Sequence, residues 1–226
     1  KDGALHMIKA SGHIDALAEK TQNGTLLPGT SGIGHTRWAT HGAPTDTNAH
    51  PHMSADGKFA IVHNGIIENY AALRDELKSK GFVFRSETDT EVIVHLLDMY
   101  YTGDLKAAVL HTAARLEGSY ALGVLCADQP GTICAVKMAS PLILGVGVGE
   151  NFFASDVTAL VSHTKNVIYL EDGEFAEITP DSISIYDSTG ATVHRSISRI
   201  VWDIEAAEKG GYEHFMLKEI MEQPEA

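Results

Sequence analysis

Gly118 divides this chain into two stretches of different hydrophobic period, and no single-class fold accommodates both. Upstream, apolar residues recur at helical spacing. Asn69 is a plausible N-cap for a helix running to Lys80 and ended by Gly81. Thr88 followed by Glu91 has the form of a capping box, and Val92, Ile93, Leu96 and Leu97 follow as one apolar stripe. Leu105 to Leu116 predicts a third helix. An earlier one is predicted over Ser11 to Lys20, with Ile14, Leu17 and Ala18 on one face. Downstream of Gly118 the period shortens. Short β-rich runs occur at 119–126, 131–138, 142–148, 151–155, 166–170, 174–179 and 182–187, separated by Gly, Asp, Pro and Ser. Strands are also expected at 4–10, 32–37 and 59–63, the last two buried, and a closing helix at 213–222. Strands, then helices, then many strands imply an α+β fold with layered sheets, not an alternating βαβ unit. No internal repeat or low-complexity tract is present.

The composition narrows the function classes. With 226 residues, 44% hydrophobic and 21% charged, the chain suits one large globular domain or two small ones. A formal net charge of −13 disfavours nucleic acid and anionic membrane, since both require a basic footprint. No apolar run approaches the ~18 residues needed to cross a bilayer, and no basic-then-apolar leader opens the sequence. Cys126 and Cys134, the only cysteines, lie in apolar runs without a secretory pattern. That argues for a reducing compartment, and a cytoplasmic location is expected. Lys1-Asp2-Gly3 reads as a turn between two strands, and the last residues stop just after a helix. The expectation is a piece of a longer protein.

Four features carry possible chemistry. Arg37 ends an apolar or small-residue run and precedes an aromatic, a setting that suits bidentate capture of a carboxylate. The plainer reading is a salt-bridged arginine at a strand end. Asp89 sits where the first turn of a helix is predicted, so its plainer role is helix-terminus stabilisation. Together the two could clamp the charged ends of an α-amino acid. Asn64-Gly65 follows a buried strand and is first of all a turn signal. The same dipeptide could supply a side-chain N–H2 and a backbone N–H to an oxyanion. His35, His41, His50, His52 and His63 crowd into 29 residues. His50-Pro51-His52 invites a metal reading, but no cysteine is near and no helical H-x-x-x-H spacing occurs, so no metal is expected. Residues 42–57 form a long loop, a length more often functional than idle. Trp38 on composition alone is a core residue sooner than a gate.

Several ungapped runs are more specific. They are 35–42, 48–52, 62–69, 86–91, Gly118-Ser119-Tyr120, Ser140-Pro141-Leu142, Ala154-Ser155-Asp156 and Lys218-Glu219-Ile220 with Glu222-Gln223-Pro224. Together they resemble the glutaminase domains of the glutamine–fructose-6-phosphate aminotransferase family, which are class II glutamine amidotransferases. The last run resembles the connection to a sugar-isomerase half. It separates this family from amidophosphoribosyltransferases and asparagine synthetases. The resemblance implies a four-layer αββα sandwich of the N-terminal-nucleophile hydrolase type, with the first strand and helix missing from this sequence. It implies an amidotransferase domain over 1–212, and over 213–226 a helix and the start of a linker. By the same resemblance Arg37 and Thr40 would hold the glutamine α-carboxylate, with His41 beside them. Asp89 would take the α-ammonium group, Asn64 and Gly65 would form the oxyanion hole, and Trp38 would gate ammonia. The implied partners are glutamine and, through the absent isomerase half, fructose 6-phosphate, in a homodimer of the full-length protein; no cofactor is implied. The family's nucleophile, an N-terminal Cys, is not among these residues. A glutamine-binding module without catalysis, a class II amidotransferase with another acceptor and, more distantly, a metal-dependent hydrolase on the histidine cluster are the competing readings.

Overall fold

Two antiparallel sheets arise from the short downstream runs together with one long upstream strand. In the computed structural model, residues 3–38, 41–201, 212 and 214–223 are described. The strands are β1 (His52–Met53), β2 (Phe59–Ile67), β3 (Gly118–Cys126), β4 (Ile133–Met138), β5 (Ile143–Val146), β6 (Asn151–Ala154), β7 (Asn166–Tyr169), β8 (Phe175–Ile178), β9 (Ile183–Tyr186), β10 (Thr192–Val193) and β11 (Ser198–Arg199). The helices are α1 (Ile14–Lys20), α2 (Tyr70–Ser79), α3 (Glu91–Tyr100), α4 (Leu105–Ala113) and α5 (Phe215–Glu222). The larger sheet has the order β1-β2-β3-β4-β8-β9-β10, the smaller β11-β7-β5-β6. Strands β3 to β9 each fall inside or within a residue of their predicted runs, whereas β10 and β11 were not expected.

Side-chain alternation builds the layers. On β3 and β4, Tyr120, Leu122, Val124, Cys126, Cys134 and Val136 face α2, α3 and α4 in one buried cluster. The intervening Ala121 and Ala135, with Ala176 and Ile178 of β8, face Leu144 and Ile168 of the smaller sheet. The far side of that sheet, Ile143 and Val167, packs under Leu160, Val161 and Ile200. The order is therefore helices, sheet, sheet, and an outer cover made among the described residues around a short 3-10 turn at Val157–Ala159.

The expectation of an α+β fold with layered sheets holds, while some local expectations do not. Residues 4–10 and 32–37 form no ladder among the described residues. The second run keeps a two-residue alternation: Ile33, His35 and Arg37 are half-buried and the residues between them exposed. It is not the buried strand expected, because alternation without a paired neighbour makes no strand, and Gly32 and Gly34 weaken any pairing. Asn69 precedes α2 but does not cap it. Its side chain instead donates to the Arg115 carbonyl at 2.8 Å and accepts from the Glu117 amide at 3.2 Å. The predicted capping box is likewise absent: α3 starts at Glu91, and the Glu91 carboxylate accepts from the preceding Arg85 and Ser86 amides at 2.7 and 2.6 Å. Helix α1 buries no residue.

The gap between the sheets depends on a missing side chain. A Cβ at Gly123 would lie 2.4 Å from Cζ of Phe153 and 3.0 Å from a Val62 methyl. Gly123→Ala is expected to destabilise the protein by ~1–3 kcal/mol through overpacking, read as a lower Tm in thermal denaturation. Adding Phe153→Leu should recover part of the loss; no recovery would place the strain elsewhere.

Candidate active site

Strand β2 carries the first elements. Its first five residues, Phe59 to His63, are buried, and Asn64, Gly65 and Ile66 are exposed before the strand re-enters the core at Ile67. The Asn-Gly turn does not form, since both residues lie inside the β2–β3 ladder, opposite Ala121 and Tyr120. Gly65 has φ +118, and a Cβ there would stand 2.0 Å from the Ser119 carbonyl oxygen, so only glycine fits. Asn64 Oδ1 lies 2.7 Å from His35 Nε2.

Asp89 lies just before α3 and is 3% exposed. Its Oδ2 accepts from the Ile67 amide at 2.8 Å, tying the start of α3 to the end of β2. The carboxylate thus serves the strand rather than the helix dipole. Among the described residues its other oxygen is hydrogen-bonded only by the Thr90 hydroxyl, at 3.5 Å. Arg37 has no carboxylate partner among the described residues. Its guanidinium donates to the carbonyls of His41, Gly42 and Ala43, the last two at 3.1 and 3.2 Å. The salt-bridged arginine therefore gives way to one that wraps a loop around itself. His41 sets its ring edge-on to Tyr70 at 5.4 Å, and its Nδ1 is buried without a partner among the described residues. Trp38 is 91% exposed, which removes the core reading. Thr40 lies outside the described residues.

These groups line one cleft of about 370 Å³, to which Arg37, Trp38, His41, Asn64, Gly65 and Asp89 all contribute. Residues that sequence reasoning left without a role hold its walls. Asn48, 3% exposed, donates through Nδ2 to the Ala43 carbonyl and to Glu87 Oε2, both at 3.0 Å, and accepts the Glu87 amide at 3.0 Å. It binds the Arg37 loop to the segment bearing Asp89. The signals for it were its place in the long 42–57 loop and in the run 48–52 that carries the family resemblance. Burial opposes ionisation of Glu91, but the His95 ring 3.6 Å away and bonds from the Ser86 hydroxyl and the Arg85 and Ser86 amides outweigh it and bring the carboxyl down to about 2.

The histidines assemble beneath the cleft. His35 stacks on His50 at 4.2 Å, His50 Nδ1 accepts the His63 amide at 3.2 Å, and His63 Nδ1 meets Thr90 Oγ1 at 2.9 Å. His52 Nε2 meets Thr88 Oγ1 at 3.2 Å. Among the described residues no group of three His, Cys, Asp or Glu is arranged to hold a metal ion. Burial lowers the pKa of all four rings. For His50 its neighbours His35, His52 and His63 add to the effect, and His52 and His63 fall to about 4.

Over residues 15–209 the sequence matches the family model for a glutamine amidotransferase domain. The chain belongs to that family. It is 52% identical over its whole length to the glutamine–fructose-6-phosphate aminotransferase (isomerizing) of Caldanaerobacter subterraneus subsp. tengcongensis, and 53% to that of Aquifex aeolicus. It spans 37 and 38% of those relatives. Among solved structures, the glutamine phosphoribosylpyrophosphate amidotransferase of B. subtilis aligns with 68% of this chain and 34% of its own at TM-score 0.57 and 26% identity. The amidotransferase domain therefore has the N-terminal-nucleophile hydrolase fold that the resemblance implied. No helix among the described residues is long and apolar enough to cross a membrane.

The buried histidine cluster predicts a pH-dependent stability for this domain. Above pH 6.5, the ordinary histidine value, His52 and His63 are neutral both folded and unfolded, and they favour neither state. Between 6.5 and about 4 the unfolded chain takes up protons that the folded one refuses. Stability should then fall as pH drops, by up to about 1.4 kcal/mol per pH unit for each histidine. Thermal denaturation from pH 7.5 to 5.0 should show a declining Tm, and a flat Tm would contradict the neutral, buried assignment.

Proposed function

We propose that this domain hydrolyses the side-chain amide of glutamine to glutamate and ammonia. In the full-length protein the ammonia then passes to a sugar-isomerase half that makes glucosamine 6-phosphate from fructose 6-phosphate. The observation that carries the first part is the convergence, in one cleft, of a guanidinium, a buried carboxylate and the Asn64-Gly65 pair. The second part rests on the named relatives. Residues 1–212 are assigned to the amidotransferase domain and α5 to the connection. The full-length enzyme is proposed to be a cytoplasmic homodimer.

In this reading Arg37, with Thr40 and His41, receives the glutamine α-carboxylate, and Asp89 Oδ1 takes the α-ammonium group. The nucleophile is the N-terminal cysteine of the family. Cys126 and Cys134 do not compete for the role: both are buried, and burial pushes both thiols up, away from the reactive thiolate. The thiolate attacks the amide carbon, and the carbonyl electrons move onto oxygen, where Asn64 Nδ2 and the Gly65 amide stabilise them. Collapse breaks the C–N bond and releases ammonia once a proton is transferred to it. Water then hydrolyses the thioester, returning thiolate and glutamate. Exposed Trp38 at the rim suits a gate for ammonia.

The deciding experiment is intact-mass analysis of the full-length protein with 6-diazo-5-oxonorleucine, an electrophile shaped like glutamine. One covalent adduct, blocked by excess glutamine, is expected; glutamine binding without an adduct would leave a non-catalytic module. Asn64→Ala should lower glutaminase kcat by ~10²–10³ with a small change in KM. Arg37→Ala should instead raise the glutamine KM by at least ~10-fold, as expected for loss of a charge-assisted contact. An unchanged KM would remove Arg37 from the carboxylate site.

A further inference from the structure

The crowding of histidines is, His41 apart, the sequence feature that the proposed reaction leaves unused. His35 is the member in contact with the reacting apparatus: its Nε2 lies 2.7 Å from Asn64 Oδ1, and both residues line the cleft. An asparagine amide can stand either way round in such a contact, and only one way leaves N–H2 facing an oxyanion. His35 settles the choice through its own proton. A neutral imidazole carries one N–H and one lone pair. The Nδ1 of His35 is buried and has no partner among the described residues. If the proton sat on Nδ1, a buried N–H would be orphaned, the costlier of the two defects. With the proton on Nε2, Nδ1 forfeits only a lone pair and Nε2–H donates to Asn64 Oδ1. Burial and the stacked His50 ring keep the imidazole neutral and in place.

We infer that His35 is a positioning residue for the amide hydrolysis: its Nε2–H holds Asn64 with the carboxamide N–H2 turned to the reacting oxygen. The inference deepens the oxyanion reading of Asn64 and depends on it. The reversed amide would present Oδ1 to a developing negative charge, so losing His35 weakens the transition state more than the bound substrate.

The test is a double-mutant cycle in the full-length enzyme, following glutamine hydrolysis. His35→Phe keeps an aromatic ring on His50 and removes the donor. It should lower kcat by ~10–100-fold, the range for a displaced reacting group, with KM for glutamine changed less than about twofold. In the Asn64→Ala background the same substitution should have no further effect. His35→Gln, which restores an N–H, should recover most of the kcat lost. Equal losses from His35→Phe in both backgrounds, or an effect confined to KM, would overturn the inference. If His35→Phe does not fold, His35→Met against His35→Gln gives the same donor contrast at matched length, and equal kcat in that pair would overturn it. If Asn64→Ala alone leaves kcat intact, the oxyanion reading itself fails; if it lowers kcat while His35→Phe does not, only the positioning role fails.

Discussion

Everything in the site hangs on the close approach of β2 to β3. The nine-residue ladder runs without a break from Phe59 opposite Cys126 to Ile67 opposite Gly118. Near its end two glycines lie almost across from each other. A Cβ at Gly65 would strike the Ser119 carbonyl at 2.0 Å, and one at Gly118 would strike the Ile66 carbonyl at 2.3 Å. The same strand that fills the core with Phe59 and Ile61 therefore presents Asn64 and Gly65 to solvent with little freedom to move. A donor pair placed on a paired strand is held more tightly than one on a turn.

The segments around the cleft are fastened to that strand or to one another by side chains bonding to backbone. Asp89 takes the Ile67 amide, Asn48 takes the Glu87 amide and gives to the Ala43 carbonyl, and Arg37 gathers the carbonyls of His41, Gly42 and Ala43. Gly42 is confined by the same bonds: a Cβ there would come within 2.7 Å of Asn48 Nδ2 and 2.9 Å of Glu87 Cβ. Loops without a ladder have backbone groups to satisfy, and here polar side chains do it. The cost of burying Asn48, Asp89 and Glu91 is offset by bonds to amides, carbonyls and hydroxyls.

Much of this fold was legible because the strands after Gly118 and the helices before it follow simple periods and end at Gly, Asp and Pro. Several of the expectations that failed are ones in which one short signal has two uses. Asn69 and the Thr88/Glu91 pair look like caps, yet their side chains reach the 115–117 loop and the Arg85-Ser86 amides, which are their neighbours only after folding. Asn64-Gly65 looks like a turn because φ above zero is usually spent on one; here it is spent on strand approach. In the cleft, Arg37, Asp89 and the Asn64-Gly65 pair were legible as chemistry, and family resemblance added Thr40, His41 and Trp38. The roles of His35 and Asn48 were not, because what distinguishes them is contact with one residue 29 or 39 positions away, Asn64 for His35 and Glu87 for Asn48.

The charge pattern of the cleft follows from the same packing. The chain as a whole is acidic, at −13, and a substrate carboxylate gains nothing from its average field. What matters is the number of cationic places within the cleft. Burial lowers the pKa of His35, His50, His52 and His63 together, and a proton on any one would sit beside the others. Keeping these four neutral leaves the Arg37 guanidinium without a cationic rival among them, across a cleft that also holds the Asp89 carboxylate. A zwitterion entering such a cleft has one electrostatically sensible orientation, and its side-chain amide is then directed away from both charges. On the proposed reading, the cluster of imidazoles contributes to orientation by carrying no charge, while one of its members fixes the donor that meets the oxyanion.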